Sequence, residues 1–177
     1  MISIKYALAL GATMMLSACA TQKISDYAQN QPHFDVVKFF SGKTEAWGMF
    51  QKRNGEVVKR FHVNMEGREE NGKLVLDEHF TYSDGTKQSR VWTLTAQPDG
   101  SWRGIAADVI GQAIGHTAGN TLHWRYTVKL PVDKTTYNVQ FDDWMYLVDE
   151  HTMINRAKVT KFGFEVGQVT LFFRHPA

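Results

Sequence analysis

The chain has 177 residues, a single cysteine, and 20 Lys and Arg against 18 Asp and Glu, for a formal net charge of +2. That near balance, without a run of like charge, argues against a nucleic-acid partner. One cysteine excludes an internal disulfide and a thiolate metal cluster. Frequent aromatics and only four prolines describe a packed domain rather than a disordered tether.

Lys5 is followed by a short apolar run, Tyr6 to Leu16, and then by Leu16-Ser17-Ala18-Cys19. A basic start, a brief apolar centre and small residues before a cut site have the form of a secretory signal. The run is well short of the roughly 20 residues that a spanning helix needs. Cysteine directly after Leu-Ser-Ala resembles a lipobox. The expectation is therefore a signal peptide over 1–18, with Cys19 lipidated and held in membrane lipid by acyl chains such as palmitate. Two or more chains anchor firmly where one holds only reversibly. Ala20 stands where an aspartate would resemble an inner-membrane retention signal. The expected destination is the outer membrane, lipid-anchored on its periplasmic face. Residues 19–32 read as the lipidated cysteine and a polar linker, and 33–177 as the domain.

His33 to Gly42 has the spacing of a short helix or extended plug closed by glycine. From about Thr44 onward, apolar and polar residues alternate between frequent turn signals. Asn71-Gly72 as a two-residue turn sets Val63 against Phe80 and Met65 against Glu78. A three-residue loop at Ser83-Asp84-Gly85 pairs Leu76 with Trp92 and Glu78 with Arg90. Asp99-Gly100 sets Leu94 against Ile105, and Gly119-Asn120 sets Gly115 under Trp124. The Pro131–Lys134 connection sets Trp124 against Phe141. Glu150-His151 pairs Met145 with Arg156 and Asp143 with Lys158. A single apolar face runs through these registers. The fold expected is all-β: an antiparallel up-and-down meander of about 8–10 strands closing into a lipocalin-like barrel, the N-terminal plug capping one end. A two-sheet sandwich is the alternative.

Trp47-Gly48-Met49-Phe50, Tyr82-Ser83-Asp84-Gly85-Thr86, Arg90-Val91-Trp92, Trp124-Arg125-Tyr126, Phe141-Asp142-Asp143-Trp144-Met145-Tyr146 and Asn155-Arg156 carry a resemblance over nearly the whole mature chain. They resemble a bacterial lipoprotein family known as domain of unknown function 3833 (DUF3833). The resemblance implies no activity, cofactor or catalytic residue. A looser likeness to lipocalins rests on architecture alone.

The chemistry-bearing residues divide simply. The seven histidines contain no helical zinc pair, and no metal site or cofactor is expected. There is no nucleophile elbow. The registers place Glu78, Arg90, Asp143, Arg156 and Lys158 on the inward face, where charges are costly unless paired. One reading is structural, with cross-strand ion pairs. The other is a binding site, in which Arg90 and Arg156 hold the acidic head of a lipid-like amphiphile whose tail lies along Phe61, Phe80, Trp92, Trp124 and Phe141. Two further readings stand beside it. One is a filled barrel docking an envelope protein partner through a surface aromatic patch at Trp144 and Tyr146. The other is an enzyme using Glu78 or Asp143 as a general base, for which no activating partner is in sight.

Overall fold

The computed structural model describes residues 21–132 and 134–176; the expected signal peptide and Cys19 lie outside the described residues. Ten strands follow one another in chain order: β1 Gly42–Lys52, β2 Val57–Glu70, β3 Lys73–Tyr82, β4 Lys87–Ala96, β5 Ser101–Ile105, β6 Ala113–Ala118, β7 Thr121–Val132, β8 Thr135–Leu147, β9 Thr152–Lys161 and β10 Phe164–Arg174. Each pairs antiparallel with its chain neighbours, and β10 pairs with β1, so the sheet is a closed barrel. Closure leaves no unpaired edge. The sandwich alternative is thereby set aside.

One short helix, α1 (Val36–Phe40), begins where the Asp35 carboxylate accepts from the Lys38 N–H, an N-cap that satisfies a free helix-end donor. It stops at Ser41 before Gly42, whose φ is +77°. Phe34, Val36, Phe39 and Phe40 are buried with the core residues Leu74, Leu76, Leu122, Met153 and Phe173. The expected plug is therefore in place, and it fills the end reached by the 71–72, 119–120 and 149–151 turns. The described residues carry a complete wall and a complete core.

The upstream segment is not a free spacer. A 3-10 turn, Ile24–Tyr27, lies on the outer wall, where the Tyr27 ring packs 5.9 Å from Trp144 and 5.4 Å from Tyr146. Gln22 donates to the Tyr146 hydroxyl at 3.1 Å. This strap crosses the β6–β7 turn so closely that a Cβ on Gly119 would sit 1.9 Å from the Tyr27 carbonyl oxygen.

The expected registers hold at β2–β3, β3–β4 and β6–β7. Three are corrected. At β4–β5, Leu94 faces Gly104 rather than Ile105, because the Gln97 N–H bonds to the Ser101 carbonyl at 2.8 Å and closes three residues, not two. At β7–β8, Trp124 faces Asp143 and Tyr126 faces Phe141; the slip is two residues, so the inward face survives. At β8–β9, Leu147 faces Met153 and Asp143 faces Ala157. There the Val148 N–H reaches the Thr152 carbonyl at 2.8 Å across Asp149-Glu150-His151. This one-residue slip turns β9 over. Asn155 points inward, and Arg156 and Lys158 stand on the exposed outer surface.

Candidate functional site: an aromatic cavity with a buried carboxyl belt

Inside the barrel is a cavity of about 1100 Å³. Val36 and Phe40 close one end. At the other it reaches the exposed rim at Val58, Lys87, Lys129 and Leu130. A volume of this order fits a drug-sized or larger ligand.

Its walls are built by period-2 alternation. Phe80 and Glu78 come from β3, Trp92 and Arg90 from β4, Trp124 and Tyr126 from β7, Phe141 and Asp143 from β8, and Asn155 from β9. Trp124 is seated by absence of side chains: a Cβ would lie 2.4 Å from its ring at Gly104 and 2.3 Å at Gly115. Trp92 meets Trp124 and Tyr126 edge-on at 5.8 and 5.3 Å, and Tyr126 stacks on Phe141 at 5.1 Å.

A polar belt crosses this lining. Arg90 donates to Asp108 Oδ2 through Nη2 at 2.6 Å and Nε at 3.1 Å. Glu78, the cross-strand partner expected from the sequence, is farther away, its Oε2 4.0 Å from Arg90 Nη1. Asp108 comes from the β5–β6 loop. That loop is laid against β7 by bonds from the Ile110 N–H to the Thr127 carbonyl and from the Lys129 N–H to the Asp108 carbonyl, both 2.8 Å. Opposite, Asp143 is buried beside the Tyr126 hydroxyl and the Asn155 amide.

Burial governs the protons here. It raises the Glu78 carboxyl to about 7, with Arg90 pulling it down and Asp108 pushing it further up. It raises Asp143 to about 7 against the hydrogen bonds of Tyr126 and Asn155. Burial also opposes the Arg90 charge, but Tyr126, Glu78 and Asp108 outweigh it and hold the guanidinium above its ordinary value. Glu78 Oε2, Asp108 Oδ1, Asp143 Oδ1 and Asn155 Oδ1 are buried acceptors without a hydrogen-bond partner. Unmade bonds of this kind are costly.

Of the residues expected at the site, Glu78, Arg90, Asp143, Trp92, Trp124 and Phe141 line the cavity together. Arg156 and Lys158 do not: Arg156 donates to Gln168 on the outer wall at 3.1 Å. The polar residues that sequence reasoning missed are Asp108, Tyr126 and Asn155. Asp108 sits in a loop without a motif, Tyr126 reads as another core aromatic, and Asn155 is hidden by the β9 slip. Trp144 and Tyr146 face outward as expected, yet the strap half-buries them. The belt can form hydrogen bonds and exchange protons near neutrality. No serine, cysteine or histidine is among the described lining residues.

Several solved structures share this architecture. A protein of unknown function from the DUF3598 family of Nostoc punctiforme superposes with a TM-score of 0.60 at 10% identity, over 82% of this chain and 51% of that one. The chain thus spans about half the length of that protein. The S-type phycobiliprotein lyase CPES of Guillardia theta superposes with a TM-score of 0.58 at 6% identity, over 89% of this chain and 99% of that one. A de novo designed fluorescence-activating β-barrel gives 0.44 at 12% identity, over 81% of this chain and 99% of that one. At identities this low, the first two establish the fold alone. No curated protein matches the sequence. A family model, described as protein of unknown function (DUF3833), matches residues 13–175, and the chain belongs to that family.

Proposed function

We propose that this protein holds a hydrophobic or amphiphilic, lipid-like molecule inside its barrel, tethered by a lipidated Cys19 to the periplasmic face of the outer membrane. The cavity of about 1100 Å³, with Phe61, Phe80, Trp92, Trp124, Tyr126 and Phe141 around a narrow polar belt, carries this reading. A packed structural barrel has no use for such a space. The leader and Leu-Ser-Ala-Cys pattern support the tether.

The polar end of the ligand is not the acidic head that two inward arginines would hold. Arg156 is outside the cavity, and Arg90 is engaged by Asp108. Glu78, Asp108 and Asp143 outnumber the one guanidinium, and each has an oxygen without a partner. An end that donates hydrogen bonds, an amine or a hydroxyl, matches this belt.

Native mass spectrometry of residues 21–177 purified from cells tests the reading. The expected result is an added small-molecule mass, lost on organic extraction. A protein that leaves the cell empty and does not take up dodecylamine or dodecanol would overturn it.

A further inference from the structure

We propose that the open rim of the barrel is a docking surface for an anionic lipid bilayer. The inference concerns the outside of the mouth and does not depend on what the cavity holds.

Two turns of the same kind carry it. β2 and β3 are joined by Asn71-Gly72, with φ of +51° and +73°; β9 and β10 are joined by Phe162-Gly163, with φ of +52° and +81°. Both residues of such a turn lie in the left-handed region, which asparagine and glycine accept and a bulky side chain resists. The plugged end uses asparagine. The mouth carries a phenylalanine there, its ring edge-on to Tyr137 at 6.4 Å and 5.4 Å from the Lys161 ammonium. These contacts leave most of the ring exposed, so the broken local rule returns little buried area to the fold and points to function.

Phe162 is 78% exposed and Phe164, two residues on, is 73% exposed. Val57, Val58, Leu130 and Val166 extend the apolar surface around the same opening. They lie near the mouth-side ends of β2, β7 and β10, and apolar side chains gathered at one end mark an interaction site. Its charge selects the occupant. Lys87 and Lys129 stand on it, Lys161 lies over the Tyr137 ring, and Arg53 and Lys134 are in the adjoining turns. Of the acids nearby, Glu56 is paired with Lys52 and Asp84 with Lys59; among the described residues Glu165 adds negative charge but leaves the bases in excess. Aromatic side chains ringed by lysines suit a surface that is apolar below and negatively charged above.

Flotation of residues 21–177 with vesicles of phosphatidylcholine, alone or with phosphatidylglycerol, tests this. The wild type should bind the phosphatidylglycerol vesicles, less so at high salt. Phe162→Asn with Phe164→Ser should weaken binding about tenfold or more, while the melting temperature stays level or rises, because asparagine suits the turn. Lys87→Glu with Lys129→Glu should remove the preference for phosphatidylglycerol while retaining the fold. A wild type that ignores both vesicles would leave the rim to a protein partner and overturn the proposal. So would a folded double phenylalanine variant that binds as tightly as wild type.

Discussion

Arg90 grips Asp108 with two nitrogens, and in doing so ties the β5–β6 loop to the middle of the cavity wall. Replacing Asp108 with Asn should weaken a charge-assisted pair and loosen that loop. The expected cost is about 1–3 kcal/mol in denaturant unfolding. Removing the neighbouring negative charge should also lower the Glu78 pKa, which Asp108 pushes up; NMR titration of the labelled glutamate reads this directly.

Glu78 and Asp143 make stability depend on pH in an unusual direction. Both have folded values of about 7, above ordinary values of 4.5 and 3.8. Between about pH 4 and 7 the unfolded chain releases these protons while the folded chain keeps them. Stability contributed by the pair should therefore be full at low pH, fall as pH rises through that window and level off above about 7. Each group accounts for roughly 2–4 kcal/mol of this fall. Glu78→Gln or Asp143→Asn should flatten the profile and raise stability at pH 8. Urea unfolding at pH 5 and pH 8 checks the sign.

Donor-bearing ligands should bind with the opposite pH response. An ammonium group in the belt favours ionised Glu78 and Asp143, so dodecylamine binding should release protons and tighten from pH 6 to pH 8. Calorimetry in buffers of differing ionisation heat counts the protons. Arg156→Met, on the outer wall, should change neither binding nor stability by more than about 0.5 kcal/mol.

Trp124 needs the bare backbone beneath it. Gly115→Ala places a methyl where the ring lies, and the expected loss is about 1–3 kcal/mol with altered tryptophan emission. Unchanged emission and stability would show that the ring is not held as described.

The closed meander and its plug were legible because three turns could be read correctly from local chemistry. Asn71-Gly72 admits one register, Ser83-Asp84-Gly85 closes three residues, and Gly119-Asn120 puts Gly115 under a tryptophan. Two of the misread turns share a physical cause. Pro98-Asp99-Gly100 and Asp149-Glu150-His151 are, like Ser83-Asp84-Gly85, three-residue loops in which an aspartate side chain accepts from the backbone two residues on. Reading them as two-residue turns shifts the strand by one, and one residue exchanges inside for outside. Arg156 and Lys158 entered the expected site that way, and Asn155 was lost from it. Asp108 was illegible for another reason: its place is set by a loop lying on β7, a contact between distant segments that no local pattern encodes.

The strap gives the molecule an orientation. Gln22 and Tyr27 fasten to Tyr146 and Trp144 beside the plug, and Cys19 lies only three residues before Gln22, about 10 Å of chain at full stretch. An acyl group on that cysteine would moor the barrel by its sealed base and hold the doorway roughly 30 Å farther out, on the far side of the wall. Moored so, the doorway faces away from the leaflet that carries it, and whatever enters or leaves does so toward a second surface.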